Sequence, residues 1–233
     1  MIDKTLIQNC TFLDIETVGA YPTLSACADL DPHLSYLWIK RCKWLQKNVE
    51  LGGSTDPHDL WISNAGLHPE FGKIICVSFG VFSSDLAMER ITSFHGDDEK
   101  EILEKANKVL ANTRIKGNKI GGQNIKNFDL PYLGKRMLIN GLVPDPIIQT
   151  WNKKPWETAF VDLMEIFSFG AWGQSFSSLD LISHVLKVPS SKIKMEGSQV
   201  HNFYWEKEAV DEIKDYCEED VLCTMNCFKR VSS

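Results

Sequence analysis

The stretch Gly72–Phe82, Gly-Lys-Ile-Ile-Cys-Val-Ser-Phe-Gly-Val-Phe, sets the tightest limit on the fold. It is a nearly continuous apolar run, with β-branched side chains at Ile74, Ile75, Val77 and Val81. Such a run fits a buried strand, and a strand without a polar face needs cover on both sides of its sheet. Residues 96–113 provide a helix for that purpose. Ile102, Leu103, Ala106, Val109 and Leu110 make its buried face, and Asp97 and Asp98 suit its positive N-terminal end.

The other segments fit the same layering. Residues 6–15 read as a strand, and 83–94 as a turn with the second strand of a hairpin. Residues 118–124 form a short strand ending in glycines. A helix follows over 129–142, with Pro131 in its first turn and Gly141 near its end. Another strand lies within 158–167, a helix over 175–188 is capped by Ser177 or Ser178, and a long helix spans 206–231. This order implies an α/β fold, a mixed central sheet of about five strands flanked by helices. Residues 17–70 carry several Pro, Gly and Asp and one helical piece at 33–50, with a stripe of Leu34, Leu37, Trp38, Arg41 and Leu45. Strong core strands follow, so this stretch reads as an excursion from a single domain covering 1–233. Lys40, Arg41, Lys43 and Lys47 give its helix a basic side, suited to solvent or to guiding DNA.

The net charge of −6 argues against a chain held on nucleic acid by a bulk positive field, while leaving room for a local cleft. Seven cysteines occur without a CxxC pair, which suggests a reduced, cytoplasmic setting. Cys217, Cys223 and Cys227 lack metal-ligand spacing and suit a packed helix face. No signal-peptide pattern and no run of membrane-spanning length is visible, so no membrane partner is expected. The six histidines show no HxxxH or HExxH spacing, and there is no GxxxxGK[ST] loop for ATP.

Four acids stand out. Asp14 and Glu16 lie two apart on a strand, hence on one face. Asp129 sits at the start of a helix, where capping is one explanation. Asp220 falls on the inward stripe of the last helix, four residues after Tyr216. Solvation explains Asp14 and Glu16, capping explains Asp129, and a distant Arg or Lys partner would explain Asp220. A single alternative explains all four together. Two unit charges about 4 Å apart repel by about 4 kcal/mol at an effective dielectric near 20, so converging carboxylates need cations. Two Mg²⁺ or Mn²⁺ ions, which favour oxygen ligands, meet that need and suit phosphodiester cleavage.

"FLDIETVG", "NIKNFDLPYL" and "YCEED" resemble, in order, the three exonuclease motifs of the DEDD superfamily. Tyr216 and Asp220, in the Y-x3-D spacing, resemble its Tyr-type branch, and the N-x3-F-D form of the second motif is similar to family B DNA polymerase proofreading domains. "HPEFGKIICVSFG" and "SFSSLDLISHVLKVPSSK" also look like stand-alone 3′–5′ exonucleases related to that domain. The similarity runs from about residue 10 to 231. The resemblance implies an RNase H-like fold and stepwise hydrolysis from a 3′ end, releasing nucleoside monophosphates. It implies that Asp14, Glu16 and Asp220 hold one metal, that Asp14 and Asp129 serve a second, and that Tyr216 orients the attacking water. Thr17, Asn124 and Phe128 would place the terminal nucleotide. Gln123 stands where relatives often carry His or Tyr, and Gly19 near a frequent Pro, which bears on substrate detail.

The expectation is a metal-dependent 3′–5′ exodeoxyribonuclease acting on single-stranded DNA. An RNase D-like RNA exonuclease and a non-catalytic nucleic-acid-binding module are the alternatives. No polymerase motifs follow Asp220, so any proofreading would act in trans beside a polymerase or repair partner; oligomeric state leaves no mark in the sequence. Asp162 fits either a site at a strand end or a cap, and Asp180 a local acceptor. Trp151, Trp156 and Trp172, near Lys153 and Lys154, fit either base stacking or the core.

Overall fold

A computed structural model describes residues 2–48, 54–87, 89–169, 177–190, 195 and 197–232. Trp172 and the side chains of Leu45 and Lys47 lie outside the described parts. The chain starts with α1 (Lys4–Gln8) and β1 (Cys10–Gly19), then α2 (Leu24–Leu30), α3 (Pro32–Asn48) and α4 (Pro57–Asn64). The hairpin β2 (Gly72–Phe82) and β3 (Glu89–His95) leads to α5 (Glu99–Ile115), β4 (Lys119–Gly122) and α6 (Asp129–Ile139). β5 (Phe160–Asp162), α7 (Leu163–Ser168), α8 (Leu179–Leu186), α9 (Val200–Trp205) and α10 (Val210–Val231) follow.

The five strands form one sheet in the order β3-β2-β1-β4-β5. β2 pairs antiparallel with β1 and β3, while β4 runs parallel to β1 and β5. This is the mixed sheet expected from the element order. Leu13 and Ile15 of β1 join the core beneath α5 and α6, with Ile102, Leu103, Leu130 and Leu133. Phe12 points the other way, against Val221, Met225 and Phe228 of α10. Gly80 allows α10 to approach β2 closely, since a Cβ there would lie 2.4 Å from Met225 Sδ. The excursion has its own small core, in which Trp38 meets Trp61 edge to face at 5.4 Å.

Several boundaries differ from the expected ones, and three of them bear on the site. Leu6 and Ile7 belong to α1, not to a strand, because Asp3 caps that turn by accepting from the Thr5 N–H at 3.0 Å. β1 then runs on to Gly19, which puts Asp14 and Glu16 in mid-strand rather than at a strand end. The strand expected in 158–167 is only three residues long, because Asp162 accepts from Met164 N–H at 3.0 Å and starts α7. In the excursion, α2 and α4 accompany the one helix expected, and α4 is announced by Asp56 as cap with Pro57 behind it.

Candidate active site

Alternation along β1 turns Asp14 and Glu16 to the same side as Phe12, beneath α10. The pairing of β1 with β2 shifts register between Glu16 and Thr17, where β2 carries one extra residue, Ile75. α10 completes this side of the site. Its Cys217 thiol donates to Asp14 Oδ2 at 3.5 Å and lies 3.6 Å from the Asp14 carbonyl oxygen. Ligand atoms of Asp14, Glu16 and Cys217 all lie within 4.8 Å of one another.

Asp129 enters from the opposite layer. Pairing of β4 with β1 ends at Phe12–Gly121, and beyond that point the Ile15 N–H donates to the Asp129 carboxylate. The short β4 thus leaves an opening beside β1 that Asp129 fills. Asp129 is the first residue of α6; the capping position belongs to Phe128, which makes no side-chain cap. Capping therefore does not account for this acid, which is 3% exposed.

The carboxyls act on one another. Burial, then the charges of Asp129, Asp220 and Glu16, raise the Asp14 pKa well above the usual carboxylate range. Glu16 is raised likewise by burial, then by Asp220. Asp129 is pushed up to about 7, burial leading and Asp162 and Asp220 adding to it, against the opposing backbone N–H groups of Asp129 itself and of Ile15. The Tyr216 hydroxyl bonds to Asp220, and burial together with Asp220, Glu16 and Asp14 holds its pKa above the ordinary phenol value. It therefore keeps its proton at neutral pH. Burial also raises the Cys217 thiol, with a hydrogen bond to Cys76 next, so it remains a hydrogen-bond donor to Asp14 rather than a thiolate.

These residues fit divalent cations. The donors are hard oxygens, they repel one another, and no Lys or Arg is among the causes that shift them. Cys217 is the participant that sequence reasoning missed. Its signal was its place between Tyr216 and Asp220 on the inward stripe.

The flanking residues are held by specific bonds. Thr17 Oγ1 and Tyr132 Oη both donate to the Gly66 carbonyl, at 2.7 and 2.9 Å. Asn124 adopts a left-handed backbone (φ 59°), and its N–H donates to Asp162 Oδ1 at 2.9 Å. Asp162 also accepts from the Lys126 N–H at 3.2 Å. It clamps the loop between β4 and α6, positioning Asn124 and Asp129 from behind. Phe128 is half-buried, its ring 5.4 Å from that of Tyr132. Gln123 Nε2 donates to the Ser177 carbonyl at 2.9 Å. Asp180 accepts from Ser190 Oγ at 2.6 Å, a local bond. Trp151 and Trp156 are exposed and precede β5, whose far end carries Asp162. Lys154 Nζ sits 5.3 Å from the Trp156 ring centre.

A family model described as "Predicted 3'-5' exonuclease related to the exonuclease domain of PolB" matches residues 66–233. Asp129, Tyr216 and Asp220 fall within the match; β1, with Asp14 and Glu16, precedes it. Among solved structures, the family B DNA polymerase from the hyperthermophilic archaeon Pyrobaculum calidifontis is similar in fold. Its TM-score is 0.56 at 15% identity, over 95% of this chain and 24% of the polymerase chain. The chain thus spans about a quarter of that polymerase. No curated protein is significantly similar in sequence. Among the described residues, no helix is long and apolar enough to cross a membrane.

Proposed function

The chain belongs to the family of predicted 3′–5′ exonucleases related to the exonuclease domain of PolB, and we propose that it removes nucleotides stepwise from the 3′ end of single-stranded DNA, using two divalent cations. The observation that carries this reading is the meeting of Asp14, Glu16, Asp129 and Asp220, drawn from β1, α6 and α10, where Asp220 helps to raise the pKa values of the other three. Asp14, Glu16 and Asp220 hold one cation, and Asp14 with Asp129 the other. Bound there, Mg²⁺ or Mn²⁺ supplies the positive charge that lets the carboxylates ionise together and stabilises the attacking and leaving oxygens.

The chain's own groups do the positioning. Tyr216 keeps its proton, and its bond to Asp220 fixes the hydroxyl. That hydroxyl oxygen accepts from the attacking water and sets its line of approach. Cys217 holds Asp14 in orientation through the thiol contact. Phe128 packs against the terminal base, and Thr17 and Asn124 flank the terminal sugar and phosphate. With a net charge of −6, the grip on the strand is local rather than a general field.

The test is shortening of a 5′-labelled single-stranded DNA oligonucleotide with Mg²⁺ or Mn²⁺, against EDTA and against Asp14→Ala, with an RNA strand in parallel. A ladder growing from the 3′ end, abolished by EDTA and by the substitution, is expected. A pure wild-type chain that shortens neither strand, or an Asp14→Ala chain as active as wild type, overturns the reading. Faster loss of the RNA strand overturns the choice of DNA.

A further inference from the structure

The family match starts at residue 66, so α3 lies outside it. Yet α3 and α6 face each other across a groove of about 850 Å³. Lys40, Arg41 and Trp44 line it from α3, Tyr132 and Lys135 from α6, and Phe128 from the residue before α6. Three features specify an occupant. The first is aromatic surface: Trp44 is 53% exposed, and the Arg41 guanidinium lies 4.3 Å from its ring centre. Such an aromatic and arginine pair offers one flat face to a base and one charge to a phosphate.

The second feature is charge. The groove collects Lys40, Arg41 and Lys135 against one carboxylate, Glu70, in a chain of net charge −6. Glu70 is occupied by Lys135 at 2.9 Å, so Lys40 and Arg41 carry the surplus. His68, which also lines the groove, is held below its usual pKa by burial and then by Arg41, so it adds no charge at neutral pH. The third is continuity. Phe128 borders the groove and precedes Asp129, while Tyr132 and Thr17 share the Gly66 carbonyl one residue beyond Glu16.

We propose that this groove holds the single strand behind its 3′ end, with a base stacked on Trp44 and the backbone phosphates on Arg41 and Lys40. The proposal rests on the exonuclease reading above and extends it to a part of the chain that the family match does not include. α3 thereby supplies strand affinity, while the acids supply cleavage.

Binding of fluorescein-labelled DNA strands of about 3 to about 12 nucleotides, measured by anisotropy with Mg²⁺ in an Asp14→Asn background, tests it. Long strands are expected to bind more tightly than short ones. Adding Trp44→Ala or Arg41→Ala weakens long-strand binding by about 5- to 100-fold, and Arg41→Ala lowers the salt slope by about 1. Ile115→Ala, which removes an exposed apolar side chain that does not line the groove, leaves affinity unchanged. Equal affinity in the Trp44 and Arg41 variants overturns the groove. So does a change in sedimentation without a change in affinity, which would make this face a contact between copies. Wild-type cleavage is followed in parallel. Cleavage without a groove effect overturns the groove alone, and groove-dependent binding without cleavage overturns the enzymatic reading alone. Neither binding nor cleavage overturns both.

Discussion

Tyr216 shows how much depends on one hydroxyl. Its ring packs with Val18, Ile75 and Ile213, so Tyr216→Phe preserves the core and removes only the bond to Asp220. The expected result is a fall in kcat of about 10²-fold with KM little changed, because positioning of the water is lost and not strand binding. Stability should move by about 1 kcal/mol, the worth of one buried hydrogen bond. Steady-state kinetics and a urea titration of the same sample separate the two effects. At this scale, the four acids were legible because strand alternation and helical spacing predict which way a side chain points. Cys217 was not, since its role depends on where α10 lies across β1, and no local pattern encodes a contact between residues 203 apart. Asp129 was ambiguous for the opposite reason. Sequence placed it correctly at a helix start, but one of its partners, the Ile15 N–H, lies on β1 beyond the point where pairing with β4 ends.

At the scale of elements, Glu99 ties three of them together. Its Oε1 accepts from the Ile74 N–H of β2 at 2.7 Å and from Arg136 Nε of α6 at 2.8 Å. Oε2 accepts from Arg136 Nη2 at 2.5 Å and from Asn140 Nδ2 at 3.0 Å. Both partners of this ion pair are nearly sealed from water, so removing one leaves the other charge buried and unpaired. Glu99→Ala should therefore cost about 3–5 kcal/mol, read as a lower urea midpoint at an unchanged slope. The damage would reach the site, because α6 carries Asp129. Long periodic elements such as β2, α5 and α10 were readable from their apolar spacing. The misread ones were short. Leu6 and Ile7 suit a strand or a helical turn equally, and β5 ends after three residues because the Asp162 carboxylate is spent on capping α7 and holding the loop at Asn124.

For the whole molecule, the acid cluster links folding to pH and to metal. Asp129 is raised from its ordinary 3.8 to about 7, and Asp14 and Glu16 are raised as well. Between those values the folded chain retains protons that the unfolded chain has released. Their contribution to stability is full below about pH 4 and is lost as pH climbs through 7. Thermal melts in EDTA should thus show Tm falling across that range, each kcal/mol lost lowering it by about 2–4 °C. Mg²⁺ or Mn²⁺ should restore more at pH 8 than at pH 5, and Asp129→Asn should flatten the decline. A Tm that rises with pH equally in wild type and Asp129→Asn would refute this linkage. The acids also lie far apart in the sequence, from Asp14 on β1 to Asp220 on α10. During synthesis the cluster can therefore form only after the segment from β1 through α10 has been made. A polypeptide that stops before Asp220 holds at most three of the four acids and therefore never assembles the whole cluster.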